Sequence, residues 1–301
     1  MRVSDCYSVF DKRGKMIVDG HTGVIGIIGN PVRHTKSPAI HNYISNQLDK
    51  NLVYVPFEVT GDVITAVKGA YELGILGMNV TVPYKTDVIS TLCDIDSLAK
   101  RIGAVNTLVR TDKGYKGYNT DMLGLERAVF SEGIELKGKT AVLLGAGGAS
   151  RAAAFMCAKN NVSKLYILNR TVSKAEEIAK DIEEYIREAS MDTTVVTLPM
   201  NAYSEIAENN LIVFQCTKIG LNEDDGAVIE DKSFYSKIEA GVDLIYRDGT
   251  EFVKLIKENG GRAFNGMKML IYQGVIAYEL WNEMKVPEDV VQGVERLLEN
   301  G

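Results

Sequence analysis

The sequence predicts an α/β protein of two domains, each built around a mostly parallel sheet. Three observations carry this. Short β-branched runs alternate with longer helical patterns almost throughout, which is the signature of strand–helix units. The chain has 301 residues, and at roughly 150 residues per domain that is room for about two. A glycine cluster at residues 145–150 opens a second series of strands and helices in mid-chain.

Residues 1–22 are polar and irregular and read as an arm or a strand preceding the fold. Residues 23–29 (GVIGIIG) form a buried strand that Asn30 and Pro31 end. Ser37 at the N-cap and Pro38 at N1 start a helix. Residues 52–59 (LVYVPFEV) are a second strand, and residues 62–73 an amphipathic segment. Residues 77–82 (GMNVTV) are a third strand, cut by Pro83. Residues 106–119 read as a hairpin around Asp112, Lys113 and Gly114. Residues 140–144 (TAVLL) are a buried parallel strand, and a helix follows the glycines over 151–159. Next come a strand over 164–168 and a helix over 171–189, where Ser173 and Glu176 have capping-box spacing. Residues 211–216 and 241–245 are further core strands, and two helices close the chain at about 266–284 and 287–299. Domain boundaries are expected near 120 and 266. Residues 1–120 with 267–301 then form one domain, and residues 121–266 are inserted as the other.

Composition narrows the function. Apolar residues are 46% and charged residues 25%, ordinary soluble usage that excludes a disordered chain, a collagen-like repeat and a coiled coil. No apolar run approaches the ~20 residues of a membrane helix. Asp5, Asp11, Lys12 and Arg13 do not read as a signal peptide. A net charge of −6 argues against nucleic acid as the main partner. Cys6, Cys93, Cys157 and Cys216 are scattered without a C-x-x-C pair, as expected of reduced thiols in a cytoplasmic protein. His21, His34 and His41 form no zinc-binding pattern, so no metal is expected.

Gly145, Ala146, Gly147, Gly148 and Ala149 follow a strand and open a helix, the setting a dinucleotide fingerprint requires. Gly145 allows the tight turn, Gly147 lets the backbone approach a pyrophosphate, and the helix N-terminus offers free N–H groups. Ser150 stands where a third small residue is usual. A plain turn is the bland alternative. At the end of the next strand an NAD binder usually carries an acid for the ribose 2′-hydroxyl. This chain has Asn169, Arg170 and Thr171, with Lys174 one turn on. A guanidinium grips a 2′-phosphate, so NADP is expected over NAD. Solvated surface charges are the other reading. Gly23, Gly26 and Gly29 have the wrong spacing for the fingerprint and are expected to permit tight sheet packing.

Polar clusters follow the strands of the first domain: Thr35 and Ser37, then Thr81 and Lys85, then Asp121, with Asn106 in a further segment. Carboxyl ends of parallel strands converge on one edge, where α/β ligands bind. Such a set suits a polyhydroxylated small molecule. A lone Lys85 would more often be a surface lysine.

GNPVRHTKSPAIHN (29–42), NVTVPYK (79–85), GAVNT (103–107), GYNTDMLG (117–124), GAGGASR (145–151), NRT (169–171) and GMKMLIYQG (266–274) together resemble the shikimate dehydrogenase family. They stand in that family's order. The resemblance implies a substrate domain completed by the C-terminal helices and an inserted Rossmann-type NADP domain. It implies reversible reduction of 3-dehydroshikimate to shikimate with NADPH in the aromatic amino-acid pathway. Lys85 and Asp121 would be the catalytic pair. Thr35 and Ser37 would bind the substrate carboxylate, with Tyr246 reaching it. Thr81, Asn106 and Gln273 would also bind substrate. Gly145, Ala146, Gly147, Gly148, Ala149, Asn169, Arg170, Thr171, Lys174, Leu244 and Gly266 would line the cofactor site.

Thr35 stands where the family usually has Ser. Gln215, Cys216, Thr217 and Lys218 replace its usual N-A-T-S and resemble the quinate/shikimate paralogue. Lys268 takes a usually small position. Three rivals follow: a quinate/shikimate dehydrogenase using NAD or NADP, an NADP enzyme of folate metabolism, and a non-catalytic dinucleotide sensor. The expected partner is a small molecule, and a homodimer stays open as the assembly.

Overall fold

The computed structural model describes residues 18–299. Most of the arm expected over residues 1–22, with Cys6, lies outside the described residues. The chain divides into two compact units. One takes the chain up to Thr120 and again from Gln273; the other is Asp121–Tyr272.

In the first unit, β1 (Gly23–Gly29) leads to α1 (Ser37–Gln47), β2 (Leu52–Glu58), α2 (Val63–Glu72) and β3 (Gly77–Val80). Then come β4 (Asp94–Ile95), α3 (Ser97–Ile102), β5 (Thr107–Thr111) and β6 (Gly114–Tyr118). The sheet order is β2-β1-β3-β5-β6-β4. The expected hairpin is β5 and β6, closing from Thr111 opposite Gly114. The β1 glycines serve packing, as expected. A Cβ on Gly26 would strike the Val55 carbonyl oxygen, and one on Gly29 would strike the Thr81 methyl.

Helix starts explain themselves locally. The Asp62 carboxylate accepts the Thr65 N–H at 2.8 Å and so caps α2. Asp96 likewise accepts from Leu98 and Ala99 to cap α3, which Gly103 ends at φ +71°. Positive φ is cheap only for glycine. The Ser37 expectation fails in detail. Ser37 is the first helical residue, and the cap position is Lys36, which makes no side-chain cap bond.

The second unit begins with α4 (Thr120–Ser131), whose first residue belongs to the first. It continues with β7 (Thr140–Leu144), α5 (Gly148–Lys159), β8 (Lys164–Asn169), α6 (Val172–Glu188) and β9 (Thr194–Pro199). After these come β10 (Leu211–Gln215), α7 (Lys232–Tyr235), β11 (Ile238–Asp243), α8 (Glu251–Glu258) and β12 (Arg262–Phe264). Every strand pair is parallel, in the order β12-β11-β10-β7-β8-β9. Counted from β7, this is the doubly wound order of dinucleotide-binding folds. The order reverses between β7 and β10, which is where such folds bind ligand. Ala175, Ile178, Ala179, Ile182 and Ile186 make one buried stripe along α6, at helical spacing.

Helix α5 starts at Gly148, three residues before the expected Arg151. The capping box on α6 does not form: Thr171 is the N-cap, without a side-chain cap bond, and Ser173 lies inside the first turn.

The chain then re-enters the first unit through α9 (Met267–Asn282) and α10 (Glu288–Glu299). Tyr43 of α1 lies where Gly293 of α10 has no side chain. The indole of Trp281, the single tryptophan, fills the space that a Cβ on Gly77 would take. Its Nε1 donates to the Leu108 carbonyl at 2.9 Å. Gly77→Ala should therefore overpack this junction. A loss of about 1–3 kcal/mol is expected, read as a lower urea midpoint with Trp281 fluorescence as the probe.

Candidate active site

The topology of the first sheet gathers the predicted residues. Strands β1 and β3 are parallel, β5 is antiparallel to β3, and β6 is antiparallel to β5. The carboxyl ends of β1, β3 and β6 and the amino end of β5 therefore share one edge. Backbone bonds lace the loops there. The Asn30 N–H donates to Val82 at 3.1 Å and the Val105 N–H to the Lys85 carbonyl at 2.8 Å. The Asn106 N–H donates to Tyr118 at 3.0 Å.

Thr35 and Ser37 are brought together. The Thr35 hydroxyl donates to the Ser37 hydroxyl at 3.1 Å and accepts the Ser37 N–H at 3.2 Å. The oxygen that receives the first helical N–H thus comes from Thr35, two residues before Ser37. This leaves the Ser37 hydroxyl out of capping and half-buried at the site edge. Thr81 directly follows β3, half-buried, with its methyl against Gly29.

Asn106 is the hub of the edge and is only 2% exposed. Its Oδ1 accepts the Thr120 N–H at 2.7 Å and the Thr107 hydroxyl at 3.1 Å. Its Nδ2 donates to Thr120 Oγ1 at 3.1 Å and to Gln273 Oε1 at 3.3 Å. Asn106 and Gln273 are thus joined as a pair, with the Gln273 amide half-exposed. Asp121 is the next residue after Thr120 and is 8% exposed. Lys85 is half-buried in the turn after Thr81, its backbone held by Val105. Tyr246 belongs to the second unit and is 43% exposed.

Sequence reasoning passed over Tyr54 and Asn79. Asn79 Nδ2 donates to the Asn106 carbonyl at 3.3 Å and to Thr107 Oγ1 at 3.1 Å. The signal was there: a lone amide inside the apolar strand GMNV.

In the second unit the glycine loop joins β7 to α5. Gly145 has φ +111°, and a Cβ there would press on Cys216 and Thr217 at 3.1 Å. No other residue fits that turn. Nothing lies within 4 Å of a Cβ on Gly147 or Gly148, so the backbone is open to a ligand at the N-terminus of α5. Ser150, fully buried, donates to the Gly145 carbonyl at 2.7 Å and braces the loop. Ala146 and Ala149 complete the turn and the first helical residues.

Asn169, Arg170, Thr171 and Lys174 follow β8 on the neighbouring loop. Asn169 Nδ2 donates to the Thr171 carbonyl at 2.9 Å. Arg170 and Lys174 are exposed and form no ion pair among the described residues. Across the sheet Leu244 and Gly266 meet: a Cβ on Gly266 would lie 2.7 Å from the Leu244 carbonyl. Open glycines, free helical N–H groups and unpaired cations fit a phosphorylated dinucleotide. Among the described residues no three His, Cys, Asp or Glu side chains cluster as metal ligands.

A doubly wound dinucleotide fold and, in the same chain, an α/β unit with a hydroxyl- and amide-rich edge together point to the class of two-domain nucleotide-dependent oxidoreductases. Family models sharpen this. Residues 27–108 match the shikimate dehydrogenase substrate binding domain, residues 126–221 match shikimate / quinate 5-dehydrogenase, and residues 266–294 match the shikimate 5′-dehydrogenase C-terminal domain. A shikimate dehydrogenase (NADP(+)) from Desulforamulus reducens is 40% identical over 288 residues, covering 93% of this chain and 97% of that protein. The chain belongs to the shikimate dehydrogenase family. Solved structures agree. Shikimate 5-dehydrogenase from Listeria monocytogenes, in complex with shikimate and NAD, superposes with a TM-score of 0.86 at 28% identity, over 95% of this chain and 100% of that one. A shikimate dehydrogenase in complex with NADP+ gives 0.83 at 35% identity, over 94% and 97%.

Proposed function

We propose that this chain catalyses the NADP-dependent, reversible reduction of 3-dehydroshikimate to shikimate, a cytoplasmic step of aromatic amino-acid biosynthesis. One observation carries the reading: Thr35, Ser37, Thr81, Lys85, Asn106 and Gln273 share one edge of the first unit. The relatives' names support it. NADP supplies the hydride when bound. Gly145–Ala149 and the N-terminus of α5 hold its pyrophosphate, Asn169, Arg170, Thr171 and Lys174 its 2′-phosphate, and Leu244 and Gly266 its other end.

The residues of the first unit orient the ketone. Thr35 and Ser37 hold the substrate carboxylate. Thr81, Asn106 and Gln273 bind the ring hydroxyls. As the carbonyl is reduced, negative charge grows on its oxygen. The Lys85 ammonium stabilises that charge and delivers the proton. Asp121, the residue after Thr120, takes a substrate hydroxyl. No described helix is long and apolar enough to cross a membrane.

The test is kcat/KM for shikimate and quinate, each with NADP and NAD. Shikimate with NADP should give the highest value. A higher value for quinate would make the chain a quinate/shikimate dehydrogenase, the reading that Thr35 and the Thr217–Lys218 pair favour. No turnover with any pair would leave a dinucleotide sensor.

A further inference from the structure

The motif that holds Thr35 and Ser37 ends in His41 and Asn42, residues with no part in the reaction above. Both act on Tyr54. The Asn42 amide donates to the Tyr54 carbonyl at 3.1 Å and accepts the Tyr54 N–H at 2.8 Å. The imidazole of His41 stacks on the phenol ring at 4.2 Å and 14°. His41 is fully buried, and neither ring nitrogen has a hydrogen-bond partner. Burial lowers its pKa to about 3, so the stack is neutral. A core tyrosine 1% exposed is thus gripped at its backbone and on its ring face.

The grip aims one atom. The Tyr54 hydroxyl lies 2.8 Å from Asn79 Oδ1. The direction of that bond is forced. Asn79 meets the Asn106 carbonyl, a pure acceptor, and must turn its NH2 there. Its oxygen therefore faces Tyr54, and the phenol must donate. From Asn79 the bonds run to Thr107, then to Asn106, then to Gln273.

We propose that Tyr54 is a positioning residue: its O–H fixes the Asn79 amide and, through it, the Asn106–Gln273 pair that binds substrate. This rests on the function proposed above. Tyr54→Phe removes only the hydroxyl and leaves the ring stack and backbone clamp in place. Asn79 Oδ1 then loses its donor, and the side chain is left tethered only through its NH2, to the Asn106 carbonyl and Thr107. In the full chain, KM for shikimate should rise about 3- to 10-fold, the range for one neutral hydrogen bond. The dissociation constant for NADP should not move.

The deciding measurement is a double-mutant cycle with Gln273→Ala. If Tyr54 acts through Gln273, its effect on KM disappears in that background. An unchanged KM in Tyr54→Phe, or an equal rise with and without Gln273, overturns the proposal, since an effect through Ser37, which the phenol also meets, or a general loosening of the core would be additive. Should Tyr54→Phe lose its cooperative thermal transition, Asn79→Ala is put through the same cycle, with the same outcomes deciding. Wild-type chain that fails to turn over shikimate would sink the proposed function instead, which is a separate reading.

Discussion

Lys85→Ala should lower kcat by ~10²–10⁴-fold, the usual contribution of a positioned acid or base. The effect should fall on chemistry and leave the fold intact. The Lys85 backbone carbonyl accepts the Val105 N–H, and alanine keeps that bond, so the turn after Thr81 remains anchored beside Asn106. The side chain alone is lost. Affinity for NADP, measured by titration of cofactor fluorescence, should match wild type, because the glycine loop lies in the other unit. A variant with near wild-type kcat would remove Lys85 from the proton transfer. A variant with weakened NADP binding would mean that the side chain serves the cofactor.

Arg170→Ala should weaken NADP by about 10- to 150-fold, with NAD little changed. A charge-assisted hydrogen bond contributes roughly 1.5–3 kcal/mol, and each 1.4 kcal/mol is about tenfold in affinity. Arg170 is exposed at the end of β8 and is bound to no carboxylate among the described residues. Its removal therefore breaks no internal ion pair. The loop keeps its shape through the Asn169–Thr171 bond. Lys174, also exposed nearby, compensates in part and draws the loss toward the lower end. Comparing KM for the two cofactors is the check. Equal losses would reduce Arg170 to a support of the loop. No loss would place recognition of the 2′-phosphate elsewhere.

Much of this was legible before any coordinates. Strands β1, β3 and β7 are short apolar runs closed by Pro or Gly, and such punctuation survives in any context. The glycine loop was readable because φ +111° against Cys216 admits one residue type. What failed was capping. Ser173 with Glu176 satisfies a spacing template, yet the helix begins at Val172 and the template falls out of phase by two residues. Ser37 has the right neighbour in Pro38, but Thr35 supplies the acceptor. Strand β9 was passed over although TVVT is a β-branched run closed by Pro199, because without alternation to a buried face it resembles a loop between the long helix and the next core strand. Tyr54 and Asn79 were hidden for another reason. A tyrosine in LVYVPFE reads as core, which it is. Its role lies in one hydroxyl whose partner is 25 residues away in sequence.

The inserted layout has a consequence for how the protein is made. The ribosome delivers β1 through β6 early, but the partners of that sheet and of α1, namely Trp281 on Gly77 and α10 on α1, emerge at the very end. Asp121–Tyr272 is one uninterrupted stretch with its own core. Domains generally fold as units during synthesis, the N-terminal one first. Here that order is inverted: the middle of the chain can finish while its beginning still lacks a cover. For that interval the nascent chain carries Gly77, His41 and Tyr54 without the α9 residues that close over them. A chain cut after Tyr272 should thus have a native dinucleotide unit and a first sheet that is a target for holdase chaperones.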